Sequence, residues 1–217
     1  MRLILVGPPG AGKGTQAVHL AAHFRIPHIS TGDIFRANLK EGTALGTQAK
    51  AYMDRGELVP DSVTNEMVRD RLTHDDVKNG FLLDGFPRNV AQAEVLRAIL
   101  AESNTPLDAV VEFALDDAEI IRRLTGRRTC KSCNAPFHIE FEQPKVDGVC
   151  DSCGGELYQR SDDSEGVITR RLQVYAEQTK PIINFYRNEG LLITIPALGE
   201  VTEISKRAIA AIQSAVN

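Results

Sequence analysis

Hydrophobic residues fall along the chain in two alternating signatures. Residues 3–6 (LILV), 81–84 (FLLD) and 108–115 (DAVVEFAL) are short, nearly unbroken apolar runs, the pattern of strands buried on both faces. Between them run stretches of helical period. One covers 13–24, with Ala17, Val18, Leu20 and Ala21 on its inner side. Others are NVAQAEVLRAIL, opened by Asn89 as N-cap, and DDAEIIRRLTGRR, capped by Asp116. Short strands at 27–29 and 191–195 and a closing helix at 201–215 continue the alternation. This order predicts an α/β fold, a three-layer α/β/α sandwich around a parallel sheet of about five strands.

Two stretches interrupt the alternation. From residue 30 to about 73, helix follows helix (GDIFRANLK, ALGTQAKAYMDRG, DSVTNEMVRDRL) with no strand between, which predicts a small helical flap. From 126 to about 163 the helical period vanishes and cysteines, prolines and glycines take over, which predicts a second insertion. At 217 residues, 42% hydrophobic and 25% charged, the chain suits one globular core carrying such attachments. Its net charge of −4 argues against a sequence-independent grip on nucleic acid or anionic lipid. The opening MRLILVGPPG holds only four consecutive apolar residues, and no run reaches the roughly 18 of a membrane span, so a cytoplasmic protein is expected.

The stretch GPPGAGKGT, residues 7–15, joins the first strand to the first helix. It nearly spells the phosphate-cradling loop G-x-x-x-x-G-K-[ST], with Gly7, Gly12 and Lys13 in place. Glycines let backbone N–H groups face phosphates, the helix offers its positive end, and Lys13 adds a point charge. Gly10, Ala11, Gly12, Lys13, Gly14 and Thr15 are therefore the candidate phosphate contacts. The slot whose hydroxyl ordinarily ligates Mg²⁺ holds Gly14. Mg²⁺ commonly keeps several waters, so it is expected to arrive on the nucleotide and be held through water by a nearby carboxylate. Asp84, ending the run FLL, is the candidate, with a turn-initiating role before Gly85 as the other reading.

With glycine after the lysine, GPPGAGKGT resembles the loop of nucleoside monophosphate kinases. STGD (30–33), GELVPD (56–61) and LLDGFPRNVAQA (82–93) are similar to the bacterial adenylate kinase family in particular, in order and over nearly the whole chain. The resemblance implies a P-loop core (1–29, 60–125 and 164–217), a helical flap for the nucleoside monophosphate (30–59) and a lid (126–163). It also implies Mg²⁺-dependent transfer of the γ-phosphoryl group of ATP to AMP, giving two ADP, in a monomer whose partners are ATP, AMP and ADP.

Phosphoryl transfer needs two substrates in line and positive charge spread over the moving group. Besides Lys13 the chain offers Arg36, Arg88, Arg123, Arg127, Arg160 and Arg171. The resemblance implies Arg36, Arg88 and Arg160 at the AMP phosphate or the transferred group. It implies Arg171 at the phosphates generally, Arg123 stacked near the ATP base and Arg127 on ATP phosphate. Arg123 and Arg127, four apart, are expected on one helical face, although cations also suit a helix's last turn.

For the AMP pocket the resemblance implies Thr31, Gly32, Arg36, Glu57, Leu58, Val59, Gly85, Phe86, Pro87, Arg88 and Gln92, with Arg160 and Arg171. Thr31 also reads as a plain N-cap and Gln92 as a solvated helix residue. Pro136, Phe137 and Gly199 are implied near ATP, although the loop PALGE around Gly199 departs from the family. Asp162 and Asp163 match hinge carboxylates that pair with core arginines on closure, or else simply start an acidic helix at 167–186. Gly166 stands where a second acid or a helix former is expected.

Cys130-Lys-Ser-Cys133, sixteen residues, then Cys150-Asp-Ser-Cys153 has the spacing of two zinc knuckles presenting four thiolates. Disulfides would more naturally tie distant segments. Phe137, Ile139, Phe141 and Val146 are too little apolar material for this insertion to fold without a staple, so one structural Zn²⁺ is expected. A zinc-ribbon module for nucleic acid is the competing class. Five cations against seven acids between 126 and 163 have the wrong sign for it. A GTPase-type switch is disfavoured by Gly14.

Overall fold

The structure is a computed structural model that describes residues 1–216. In chain order its elements are β1 (Arg2–Val6), α1 (Lys13–Phe24), β2 (His28–Ser30), α2 (Thr31–Lys40), α3 (Ala44–Met53), α4 (Asp61–Arg71), β3 (Phe81–Asp84) and α5 (Val90–Glu102). There follow β4 (Ala109–Ala114), α6 (Asp117–Gly126), β5 (Arg127–Cys130), β6 (Pro136–His138), β7 (Leu157–Tyr158), α7 (Glu165–Val174), α8 (Pro181–Asn188), β8 (Leu192–Pro196) and α9 (Val201–Val216). Among them no helix is long and apolar enough to cross a membrane.

Five parallel strands in the order β2-β3-β1-β4-β8 make the central sheet, with Leu3 opposite Leu82 on one side and Ala109 on the other. The run LILV is apolar throughout because both faces are covered. Leu3 and Leu5 pack with Ala17 and Leu20 of α1 and Ile204, Ala208 and Ile212 of α9. Ile4 and Val6 point the other way, onto Val68 of α4, Leu96 and Leu100 of α5 and Ile182 of α8. The expected three-layer α/β/α arrangement follows from that alternation.

Local caps set several boundaries. Asn89 accepts from the Gln92 backbone N–H at 2.8 Å, and Asp116 accepts from that of Glu119 at 3.0 Å. Ser30, not Thr31, caps α2, accepting from the Asp33 N–H at 3.2 Å. Thr31 is the first helical residue, and its hydroxyl is spent on the Gly85 carbonyl at 2.9 Å.

α6 stops at Gly126, so Arg127 and Arg128 lie on β5 and Arg123 and Arg127 share no helical face. Arg127 is drawn out of the helix by antiparallel pairing with His138, which outweighs the preference of cations for a last helical turn. The helix expected over 167–186 begins at Glu165 and is interrupted by a wide turn at Tyr175–Thr179 ahead of Pro181. There the Lys180 N–H reaches back to the Tyr175 carbonyl at 2.8 Å, and Pro181, which has no N–H to give, begins a new segment.

Outside the sheet, α2 and α3 pack through Phe35, Ala49, Val59 and the flanking Leu45 and Tyr52. Residues between β5 and β7 form a separate antiparallel sheet in the order β6-β5-β7. The α2–α3 contact depends on Gly46, where an added Cβ would lie 2.3 Å from the backbone of Asn38 and Leu39. Gly46→Ala is therefore expected to lower stability by about 1–3 kcal/mol, read from denaturant unfolding curves. An unchanged midpoint would mean that these helices separate freely.

Candidate active site

The loop between β1 and α1 leaves the sheet at the carboxyl end of its middle strand, beside the end of β3, where open α/β sheets accept ligands. Gly7 has φ 139° and would place a Cβ 2.5 Å from the Phe113 carbonyl oxygen, so only glycine lets the loop press onto β4. Gly12, at φ 83°, opens α1 without a side-chain cap, leaving first-turn N–H groups free to meet an anion.

Lys13 curls over this loop, its Nζ donating to the carbonyls of Gly7 and Pro8, both at 2.8 Å. Burial pushes its pKa down to about 8, with Asp84 opposing and Arg88, Arg171 and Arg127 adding to the depression. A Cβ on Gly14 would stand 3.8 Å from Asp84 Oδ2. The carboxylate thus borders the slot from which the hydroxyl is missing. Burial acts to raise the Asp84 pKa, but His28, Lys13 and Arg88 together hold it below the usual carboxylate range. An ionised, partly buried carboxylate beside the loop suits a hydrated Mg²⁺.

The arginines come from separate elements. Arg88, just after β3, donates through Nε to the Gly85 carbonyl at 2.8 Å. Arg36 on α2 pairs with Asp33 at 2.5 Å. Arg127 makes a two-pronged bond to Asp163 at 2.8 and 2.5 Å, and Asp163 is only 1% exposed. Arg171 on α7 pairs with Asp162 at 2.9 Å and with Asp163 at 3.5 Å. Arg160 donates to the Thr129 hydroxyl at 2.9 Å.

Burial drives the Arg160 pKa down to about 9 and that of Arg171 to about 10, with Arg127 pushing the same way in both. Burial lowers that of Arg88 as well, reinforced by Arg36. For Arg127 burial also acts downward, but Asp163 more than reverses it. These cations are close enough to repel one another, which is the electrostatic preparation for a polyanion.

A cavity beside them is lined by Thr31, Gly32, Arg36, Glu57, Leu58, Val59, Gly85, Arg88, Gln92 and Arg171, ten of the residues expected from sequence. Phe35, Met53 and Thr64 also line it and were not anticipated. Their apolar and small-polar helical positions look like core, and Phe35 and Met53 do pack in the flap core as well. Phe86, Pro87 and Arg160 are not among its lining residues, and Phe86 is wholly buried against the sheet. Gln92, 1% exposed, is not a solvated residue, because its amide is held from two sides.

Of the residues expected near ATP, Arg123 pairs with Glu119 at 2.9 Å and lies 5.7 Å from the Phe141 ring. Pro136 and Phe137 lie on β6, where the Phe137 ring packs against Cys130 and Cys150, leaving only its main chain for a ligand. Gly199, at φ 109°, sits in the loop before α9. A Cβ on Gly166 would meet nothing within 4 Å, and nothing in the structure explains its glycine.

The four cysteine sulfurs lie within 4.8 Å of one another. The Sγ separations of Cys130 and Cys153 (3.5 Å) and of Cys133 and Cys150 (3.6 Å) approach the edge of about 3.8 Å that a tetrahedron with 2.3 Å metal–sulfur bonds requires. The two knuckles are built alike. Asn134 N–H bonds the Cys130 carbonyl and Gly154 N–H that of Cys150, and each donor residue is left-handed, at φ 60° and 71°. These four residues could hold a metal ion.

A glycine cradle at the carboxyl edge of a parallel sheet, with its lysine, a facing carboxylate and arginines gathered from several elements, defines a P-loop phosphotransferase. A family model described as "Adenylate kinase" matches residues 5–191. Among proteins described as adenylate kinase, that of Acidothermus cellulolyticus is 58% identical over 98% of this chain and 98% of its own. That of Streptomyces griseus is 55% identical over 99% and 98%, and that of Clostridioides difficile 53% identical over 99% of both. The chain belongs to the adenylate kinase family.

The depressed Lys13 pKa has a measurable sign. Free Lys13 loses its proton as pH rises through about 8, whereas bound phosphates favour the charged form. At about pH 8.5, binding of a nucleoside triphosphate should therefore take up protons and weaken as pH rises further. Calorimetry in buffers of different ionisation heat reads this uptake, and Lys13→Met should abolish it.

Proposed function

We propose that this chain transfers the γ-phosphoryl group of ATP to AMP, giving two ADP, with Mg²⁺ accompanying ATP. The observation that carries the reading is the approach of Lys13, Arg36, Arg88 and Arg171 to one crevice between the glycine loop and the cavity under the flap. Such placement suits a reaction whose demand is positioning and charge dispersal.

On this reading residues 10–15 hold the triphosphate, with Lys13 at its outer phosphates. Arg127 and Arg123, the main chain of Pro136 and Phe137, and Gly199 attend the rest of ATP. Thr31, Gly32, Arg36, Glu57, Leu58, Val59, Gly85, Arg88 and Gln92 receive AMP, with Phe86 and Pro87 carrying the backbone into that wall. Arg88, Arg127, Arg160 and Arg171 surround the moving group. No general base is required, because the accepting phosphate oxygen is already an anion. Bound Mg²⁺ would supply neutralising charge to the triphosphate, and Asp84 is the residue to hold it through water.

The corresponding division is a core of 1–29, 60–125 and 164–217, a flap of 30–59 and a lid of 126–163. The lid and flap touch where the Ser161 hydroxyl donates to Asp54 at 3.4 Å and Lys40 reaches the Lys131 carbonyl at 3.5 Å. Closure of this kind supports transfer to AMP over hydrolysis, since water competes as acceptor. The metal of the four cysteines is read as Zn²⁺ in a structural role, because a complete thiolate set leaves no open position. A cytoplasmic monomer completes the reading, in a compartment where thiols stay reduced and free to bind metal.

A coupled assay for ADP formation from ATP and AMP tests the activity. Arg88→Ala should lose about 10²- to 10³-fold in rate, the usual cost of one preorganised donor. Turnover within a few-fold of the parent would overturn the assignment. For the metal, analysis should find one zinc per chain, and chelation should lower the melting temperature of the lid region followed by hydrogen exchange. Four titratable thiols in native, metal-replete protein would exclude the site.

A further inference from the structure

Asp61, the first residue of α4, stands behind the cavity and is not part of its lining. Its Oδ1 accepts from Gln92 Nε2 at 2.7 Å, and both its oxygens accept from Asn89 Nδ2, at 3.1 and 3.0 Å. At the other end of the same amide, Gln92 Oε1 accepts from the Arg88 backbone N–H at 2.7 Å. A carboxylate can only accept and a backbone N–H can only donate. Rotating the Gln92 amide by half a turn would set oxygen against carboxylate and N–H against N–H. With the side chain 1% exposed, water is not at hand to relieve either clash.

The consequence concerns the acceptor base, and it rests on the reading of this cavity as the AMP site. Gln92 lines the cavity and has one N–H and one lone pair still unused, in an order it cannot reverse. Adenine offers an N6–H donor next to the N1 acceptor, which such an amide edge can pair. Hypoxanthine and guanine offer an O6 acceptor next to an N1–H donor, which requires the reversed amide. We propose that Asp61 is a positioning residue that sets base specificity, holding Gln92 in the one orientation that accepts a 6-aminopurine and rejects a 6-oxopurine.

The test compares kcat and KM for AMP and for IMP, its 6-oxo counterpart, in the parent and in Asp61→Ala, Asp61→Asn, Gln92→Ala and the Asp61→Ala/Gln92→Ala double variant. Asp61→Ala should reduce the AMP:IMP ratio of kcat/KM by about tenfold or more, the scale of one charge-assisted hydrogen bond. The loss should sit in the KM for AMP, with the KM for ATP little changed. Asp61→Asn keeps one accepting oxygen and should fall between, and it serves if the alanine variant does not fold. In the Gln92→Ala background, loss of Asp61 should change the ratio no further. An active parent whose AMP:IMP ratio survives in both Asp61 variants, or additive effects in the double variant, would overturn the lock alone. A parent that forms no ADP from ATP and AMP would overturn the phosphotransfer reading and the lock with it.

Discussion

Six cationic side chains, Lys13, Arg36, Arg88, Arg127, Arg160 and Arg171, are held around one crevice in a partly buried setting where they repel one another. Such a cluster is costly to bury unless oxygen acceptors hold the cations until a polyanion replaces them. Asp33 holds Arg36, Asp163 holds Arg127 and Asp162 holds Arg171. The Gly85 carbonyl and the Thr129 hydroxyl take Arg88 and Arg160, and carbonyls of the glycine loop take the Lys13 ammonium, with Asp84 acting on Lys13 and Arg88 at longer range. Burial acts to raise the pKa values of Asp84 and Asp162, yet both are held below the ordinary range, so the compensation is mutual. A site built this way is unstable when empty of charge partners and strengthened by phosphate.

The sheet's contribution is to bring distant segments to one edge. Parallel order places the ends of β1 and β3 side by side, so the glycine loop and Asp84, more than sixty residues apart, become neighbours. Beside Gly14, which has no hydroxyl, the neighbouring strand places a carboxylate, with Asp84 Oδ2 3.8 Å from where a Cβ would stand. The cysteine sheet follows a different logic, with a small apolar cluster of Phe137, Ala135 and Leu157 packed against Cys130 and Cys150 instead of a second hydrophobic layer.

Much was legible in one dimension. The switch between unbroken apolar runs and helical period marked the five central strands and the helices covering them, because burial on two faces leaves no polar alternation to confuse. Asn89 and Asp116 were readable as caps, since the bond each makes spans three residues. Thr31 was not, because the serine before it has the same capacity and the threonine hydroxyl is claimed by Gly85, far away in sequence. Arg127 likewise left its helix for a strand partner that no local window contains.

The amino-acid order by itself determined the glycine cradle, the layered sheet and the paired cysteine turns, all of which depend on contacts between residues close along the chain or on a strictly repeated pattern. Only the tertiary structure decided which carboxylate holds which arginine, that Gln92 is buried and bonded to Asp61, and that Phe35 and Met53 are walls of a cavity as well as of the flap core. The physical reason is range. A helical face or a turn is specified by bonds within a few residues, whereas an ion pair or a locked amide depends on where several elements end in space.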